Sequence, residues 1–405
     1  HNQQASFDSL NFMDAAEAVK YQQEQLQANP SGNYPLYRKL NNREQSNINV
    51  VLVLMEGMSA AKMTRHGNPK KLTPFLDSLS NEGIYFENAY STGIHTFNGV
   101  YSTLTSFPSS FVHHPMKGVP LSLPSGLMRS FSDRDYSTAY VTTHDDQFDN
   151  IGGFLKANGC ESITASKDYP SSAIKTTLGV PDGYMFQYSF EKLAEMSSDP
   201  NPFFCTYLTA SDHGPYYIPD DFECRNEDEI DCIVEYADHS IRTFVETAKN
   251  QPWFDSTLFV FVADHGASIS HIYEIPLAYT HIPILFYGPG VLDTAYTHKG
   301  MASQMDVFPT IMGLLDLEYQ DFGMGYNLLK EKRQYSVFTA DERLGVIDSS
   351  HILIRGVSGV PQLYNYRRQE KVPLNDSFPK KFEEMQLYAN SIFQTYKECI
   401  RNVGK

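Results

Sequence analysis

Residues Asn49 to Gly57 read NVVLVLMEG, and the fold turns on what this stretch can be. Val50 to Met55 is an unbroken apolar run rich in β-branched residues, far short of the ~20 residues a membrane span needs. It stops abruptly at Glu56-Gly57. A short run with no polar alternation predicts a central parallel strand buried on both faces. Glu56 then falls at the C-terminal end of that strand, where open α/β sheets place their ligands. The plainer reading is a surface Glu opening a loop. A Glu that abuts six apolar residues and is followed by Gly favours a functional one.

Similar runs recur downstream. Strands are predicted at Ile84 to Ala89 (IYFENA), Ser137 to Thr143 (STAYVTT), Pro202 to Ala210 (PFFCTYLTA), Asp255 to Ala263 (DSTLFVFVA) and His281 to Tyr287 (HIPILFY). Helices alternate with them. TPFLDSLSNEG (73–83) has Thr73 as N-cap, Pro74 one step in and Gly83 past the end. Gly99 to Ser106 is a helix stopped by Phe107-Pro108, and Val234 to Lys249 carries an apolar face of Tyr236, Ile241, Phe244, Val245 and Ala248. Another helix begins at Gln304. The alternation predicts an α/β fold with a mostly parallel central sheet flanked by helices. We assign this domain to residues 47–335. Residues 1–46, polar and rich in Gln, Asn and Ala, form a lead-in or linker with a helix over Asp14 to Gln27. Residues 336–405 change texture, to HILIRGV and PQLYNY followed by an amphipathic helix from Pro379 to Asn402. They predict a small C-terminal α+β subdomain.

The chain has 405 residues, 41% hydrophobic and 20% charged, enough for a sizeable core and inconsistent with general disorder. The 26 Tyr and 26 Phe suit a pocket lined by aromatic faces. A net charge of −16 argues against a nucleic-acid or anionic-membrane footprint. None of the five Cys forms a CxxC pair, which disfavours a zinc knuckle. Cys224 and Cys232 sit together in CRNEDEIDC, as a local disulfide in an oxidising compartment or as two free thiols. No signal peptide is visible, and the chain begins at His1 rather than Met, as expected of a processed product or an excised soluble piece.

Polar residues gather where the predicted strands end. STGIHTFNGVYSTLTSFP (91–108) is a loop running into a helix, with Thr96 at the junction. Backbone N–H groups there favour a phosphate or a forming alkoxide, so Thr96 is either a helix cap or a nucleophile. Asp264-His265 follow DSTLFVFVA, His213 follows PFFCTYLTA, and His144-Asp145-Asp146-Gln147-Phe148-Asp149-Asn150 follow STAYVTT. Each taken alone could be an ordinary solvated turn. In an α/β sheet, Glu56, Thr96, Asp264 and His265 would converge. Three oxygens and one imidazole suit one divalent ion, Mn2+ or Zn2+, with Mg2+ as a further option. Such an ion would lower the Thr96 hydroxyl pKa.

NVVLVLMEGMS, LTPFLDSLSNEGIYFENAYSTG, the Thr that follows, ADHG, HIPILFYGPG and SQMDVFPTIMGLL together resemble the alkaline phosphatase/sulfatase superfamily. Within it the chain looks most like the lipoteichoic acid synthase and phosphoglycerol transferase group, over roughly Ile48 to Leu329. The resemblance implies metal ligation by Glu56, Thr96, Asp264 and His265, and a covalent phospho-threonine at Thr96. It implies substrate contacts by His213 and, from the loop after Thr143, by His144, Asp145, Asp146 and Asn150. Here the chain departs from the group, having HDDQFDN in place of a longer Trp- and Arg-containing segment, which leaves the headgroup open. The resemblance further implies a phospholipid headgroup donor and a sugar or polymer hydroxyl acceptor. It implies an extracytoplasmic, monomeric soluble domain anchored in the membrane by a segment absent from this chain. Two relatives by fold are alternatives. A sulfatase needs Cys or Ser in C/S-x-P-x-R, whereas HTFNG has neither the Pro nor the Arg. A phosphatase or phosphodiesterase with two metals needs a second carboxylate beside Glu56, where Gly57 and Met58 stand. A non-catalytic binding domain would require a broken ligand set.

Overall fold

In the computed structural model, which describes residues 9–41, 43–110, 114–118, 121–267, 269 and 272–403, NVVLVLM is a strand buried along its whole length. Numbered along the chain, the strands are β1 (Arg38–Leu40), β2 (Asn49–Met55), β3 (Ile84–Tyr90), β4 (Ser137–Thr142), β5 (Ser162–Thr164), β6 (Phe203–Leu208) and β7 (Thr257–Ala263). They continue with β8 (Ile284–Tyr287), β9 (Tyr296–Ser303), β10 (Tyr319–Asp321), β11 (Ser336–Ala340), β12 (Arg343–Ile347), β13 (His351–Gly356) and β14 (Gln362–Asn365). The central sheet has eight strands in the order β5-β4-β6-β2-β7-β8-β3-β9. It is mostly parallel, and helices flank it. HIPILFY supplies β8, which runs antiparallel to both neighbours and extends only over Ile284–Tyr287.

β2 lies between β6 and β7 and is parallel to both, with Leu54 opposite Leu208 and Met55 opposite Ala263. Side chains on both its faces are buried, which explains the absence of polar alternation. The register has a direct consequence. Residues that follow β2, β6 and β7 all emerge at one edge of the sheet.

Several helices start earlier than their apolar periodicity suggests. The helix expected from Gly99 spans Thr96–Thr105, and the one expected from Val234 spans Glu229–Ala248. In the second case Asp228 caps the end, accepting from the N–H groups of Ile230 and Asp231. Thr73 does not cap Pro74–Leu79. Its hydroxyl donates to Asp77, and the role passes to Asp238 of the helix Glu229–Ala248, whose carboxylate accepts from Phe75 N and Leu76 N at 2.9 Å each.

The two ends of the described chain clasp one another. The helix Ala15–Leu26 packs on the closing helix Pro379–Asn402, with Gln22 Nε2 donating to Ser391 Oγ at 2.8 Å and Phe12 against Phe393. β11 to β14 form an antiparallel sheet beside that helix. Arg333, just before β11, is joined to Asp306 by two buried bonds of 2.7 and 2.6 Å. Cys224 and Cys232 are disulfide-bonded, and Cys160, Cys205 and Cys399 are buried thiols. Among the described residues no helix is long and apolar enough to cross a membrane.

Removing one partner of a buried ion pair leaves an uncompensated charge. Arg333→Met is therefore expected to destabilise by about 3–5 kcal/mol, read as a lower urea midpoint, with partial recovery in Arg333→Met/Asp306→Leu. Burial pushes Asp238 up to about 7, above the unfolded value of roughly 4. The folded state then binds the extra proton, so stability falls as pH rises between those values. The stability difference between wild type and Asp238→Asn is expected to shift against wild type from pH 4 to 7 in parallel urea titrations.

Candidate active site

The β2–β7 register brings the two acidic strand-end residues face to face. Glu56 follows Met55, Asp264 follows Ala263, and Asp264 N donates to Met55 O at 3.0 Å. Gly57 N donates to Asp264 Oδ1 at 3.0 Å, and Glu56 N to Thr209 Oγ1 beyond β6 at 3.0 Å. Gly57 has φ +62, a conformation that favours glycine, and it passes close to the carbonyl of Asp212.

The helix Thr96–Thr105 approaches from above. His95 occupies its N-cap position and Thr96 its first turn. Gly99 lies so close to β7 that a Cβ there would stand 2.3 Å from Asp264 O. Only glycine lets this turn settle on the strand end. Buried Gln304 holds the loop before the helix in place. Its amide donates to Ala263 O and Asp264 O, and its oxygen accepts from Thr92 N.

One atom each from Glu56, Asp264 and His265 lie within 4.8 Å of one another, and Thr96 Oγ1 donates to Glu56 Oε2 at 3.2 Å. His265 Nδ1 lies 2.8 Å from Gly266 O, so it is the ring's N–H donor there. Nε2 then faces Glu56 Oε1 at 3.4 Å and Asp264 Oδ2 at 3.5 Å. Those two oxygens are buried without a hydrogen-bond donor. Burial raises Asp264 well above the usual carboxylate range, and the Glu56 charge raises it further. Burial would raise Glu56 too, but the neighbouring His265 outweighs this and brings it to about 2. Burial pulls His265 down, yet the Asp264 and Glu56 carboxylates hold it up at about 10. Two orphaned carboxylate oxygens, the Nε2 atom of His265 and a hydroxyl converge on one point, and a divalent cation there would take the place of the Nε2 proton.

The remaining sequence candidates divide. His213 is exposed beyond β6, and its charge acts on Glu56. His144 is buried beyond β4, lowered by burial, with its ring edge-on to Phe148. Asp145 is exposed and accepts from Gln147 N. Asp146 is buried and paired with Lys167 at 3.0 Å, and Asn150 donates to Met116 O at 2.6 Å, so both are engaged within the protein.

Sequence reasoning missed the support around this centre. Lys62 Nζ donates to Gly57 O at 2.9 Å and to the buried Asp212 carboxylate at 2.5 Å, joining the loops after β2 and β6. His114 and Lys117 reach Asp149 at 3.2 and 2.5 Å, and the His114 ring stacks on Phe97 beside Thr96. Asp212 stood beside His213 in the sequence. Nothing local marked Lys62 or His114.

The family model described as Sulfatase matches residues 48–317. Lipoteichoic acid synthase 2 of Bacillus subtilis is 27% identical over 329 residues, covering 72% of this chain and 48% of the relative. The chain spans about half the length of the curated relatives it matches. A solved protein of the alkaline phosphatase superfamily from Vibrio parahaemolyticus superposes with a TM-score of 0.85 at 23% identity, covering 95% of this chain and 96% of the other. The lipoteichoic acid synthase LtaP from Listeria monocytogenes gives 0.74 at 21% identity, covering 88% and 93%. These likenesses establish the alkaline phosphatase/sulfatase fold.

A cation that binds only the folded chain raises stability, by about 2.7 kcal/mol at a hundredfold excess over Kd. Mn2+ or Zn2+ is expected to raise the Tm of wild type in differential scanning fluorimetry and to leave Asp264→Asn unshifted. Without metal, Asp264→Asn should melt no lower than wild type, because Asn keeps the acceptor that Gly57 N uses and removes a carboxyl group crowded against Glu56.

Proposed function

This chain belongs to the sulfatase family, and from that membership we propose that it is a metal-dependent transferase of phosphoglycerol or a related phospho-headgroup, with Thr96 as the nucleophile. The observation that carries this reading is the convergence of Thr96 Oγ1, His265 Nε2 and the donor-free oxygens of Glu56 and Asp264. The lipoteichoic acid synthase relatives and the Thr at position 96 support transfer of a phosphate ester over sulfate hydrolysis. So does HTFNG, which lacks the Pro and Arg of a sulfatase signature.

Glu56, Asp264, His265 and Thr96 would hold one divalent ion, Mn2+, Zn2+ or Mg2+. Bound there, it would favour the Thr96 alkoxide and neutralise charge on the phosphoryl oxygens. Thr96 Oγ1 attacks the phosphorus of a phospholipid-type diester in line, the P–O bond to the lipid alcohol breaks, the proton given up by the Thr96 hydroxyl ends on the departing alcohol oxygen, and a phospho-threonine ester forms. The first turn of Thr96–Thr105 presents backbone N–H groups to that phosphate. An acceptor hydroxyl then attacks the same phosphorus, the bond to Thr96 breaks, and the acceptor's proton returns to Oγ1. His213, exposed beyond β6, contacts the headgroup, and His144 with Asp145 lines the approach. Asp146 and Asn150 shape the loop from within. The Cys224–Cys232 disulfide supports an extracytoplasmic location. The catalytic unit is assigned to 47–335, with 336–405 as a covering subdomain.

The test is intact-protein mass spectrometry after incubation with phosphatidylglycerol and Mn2+, with the modified residue mapped. A phosphoglycerol mass on Thr96 is expected in wild type, with none in Thr96→Ala and a slower gain in Thr96→Ser. Turnover in Thr96→Ala at the wild-type rate would end this reading.

A further inference from the structure

The loop after β4 turns through two consecutive left-handed residues, Asp149 at φ +51 and Asn150 at φ +58. Asp and Asn tolerate that conformation better than most side chains, yet two in succession persist only where surrounding contacts over-determine them. Those contacts come from segment 114–117. His114 Nε2 lies 3.2 Å and Lys117 Nζ 2.5 Å from the same oxygen, Oδ1 of Asp149. Asn150 Nδ2 donates to Met116 O at 2.6 Å. Met116 is fully buried in the main core, so the segment is a fixed post against which the loop is held. Burial would raise Asp149, but His114 and Lys117 bring it to about 2, so a carboxylate faces them.

The post also touches the nucleophile's helix. The His114 ring stacks on Phe97 at 3.9 Å and 23°, and Phe97 directly follows Thr96. On the loop side, the turn is compact. Asn150 N donates to Gln147 O at 2.9 Å, and Phe148 N to Asp145 O at 3.1 Å. Phe148, next to Asp149, stands edge-on to the His144 ring at 5.2 Å, and the Glu56 charge acts on that ring. One largely buried side chain, His114, therefore meets both the residue after Thr96 and the turn that carries His144.

We propose that His114 is a positioning residue for the transfer reaction, setting the separation of Thr96 and His144 and so how the donor headgroup is held at the nucleophile. The proposal rests on the transferase reading. Thr96 belongs to a helix and His144 to a separate loop, and the sheet fixes strand ends more firmly than the turns beyond them. In-line attack needs the reacting atoms about 3–3.5 Å apart and aligned, so the two elements must keep one relative position. His114 supplies it by stacking on one and holding the carboxylate of the other. Once Asp149 is released, the left-handed pair is free to relax, and Phe148 and His144 move with it.

The test follows Thr96 labelling against phosphatidylglycerol concentration by intact-protein mass spectrometry, with Mn2+ present. His114→Ala is expected to slow labelling at low donor between about tenfold and a hundredfold, chiefly as a higher half-saturating concentration. His114→Gln keeps an N–H within reach of Asp149 and should recover part of the loss. Asp149→Gly accepts the left-handed turn without strain but frees it from the post, so it should behave as His114→Ala. In a His144→Ala background, His114→Ala should cost no more than about twofold, because the side chain it positions is gone. The Mn2+-induced rise in Tm should match wild type in every variant. Wild-type labelling by His114→Ala, an equal penalty with and without His144, or a lost Mn2+ shift would each overturn the positioning role and leave the transferase reading standing. No label on Thr96 of the wild type would end the transferase reading, and this role with it.

Discussion

Two carboxylates buried side by side are the constraint that the rest of this structure answers. Glu56 and Asp264 are placed together by the parallel register of β2 and β7, and neither can be moved without breaking a fully buried strand pair. Like charges at that spacing and burial repel strongly unless something positive lies between them. His265 supplies part of the answer, and the two oxygens left without donors leave room for a cation to supply the rest.

Much of the surrounding packing serves to hold that unfavourable pair in position. Gly99 lets a helix settle on the carbonyl of Asp264, bringing Thr96 into contact with Glu56. Gln304 donates both amide hydrogens to the end of β7 and accepts from the loop before the helix. Lys62 joins the turn after β2 to Asp212 after β6, and Asp264 after β7 accepts from Gly57 N, so three neighbouring strand ends are cross-linked by polar side chains. The same logic extends outward through Asp182, which ties the helix Asp182–Ser197 to the start of the loop that holds His213. Such fully satisfied polar networks rigidify a site more than apolar contacts can, because each member has one set of acceptable positions.

A good deal of this was legible in the chain. The strand-end residues Glu56, Asp264 and His265 could be picked out because a buried parallel strand is apolar throughout, so the first polar residue after it is conspicuous. The closing helix Pro379–Asn402 was readable in place and length, since its apolar stripe is long and Pro marks its start. Helix starts were less legible. Glu229–Ala248 begins outside its apolar stripe because Asp228, not burial, initiates it, and Thr73 yields its capping role to Asp238, more than 160 residues away. In the loop after β4, Asp146 and Asp149 looked equivalent to their neighbours. Only packing against Lys167, His114 and Lys117 distinguishes a structural carboxylate from an available one.

By itself, then, the sequence determined the α/β class, the central strand and the chemical types waiting at the strand ends, because each depends on periodicity and on residues a few positions apart. Tertiary structure alone decided which of those groups share a site. β2 and β7 are separated by two hundred residues of chain, and the order of strands in a sheet is set by how whole layers pack, not by any local pattern. The supports Lys62, Gln304, Asp182 and Asp238 belong to the same category. Their partners are remote in sequence, and an isolated Lys, Gln or Asp carries no mark of the neighbour it will meet once the core has closed.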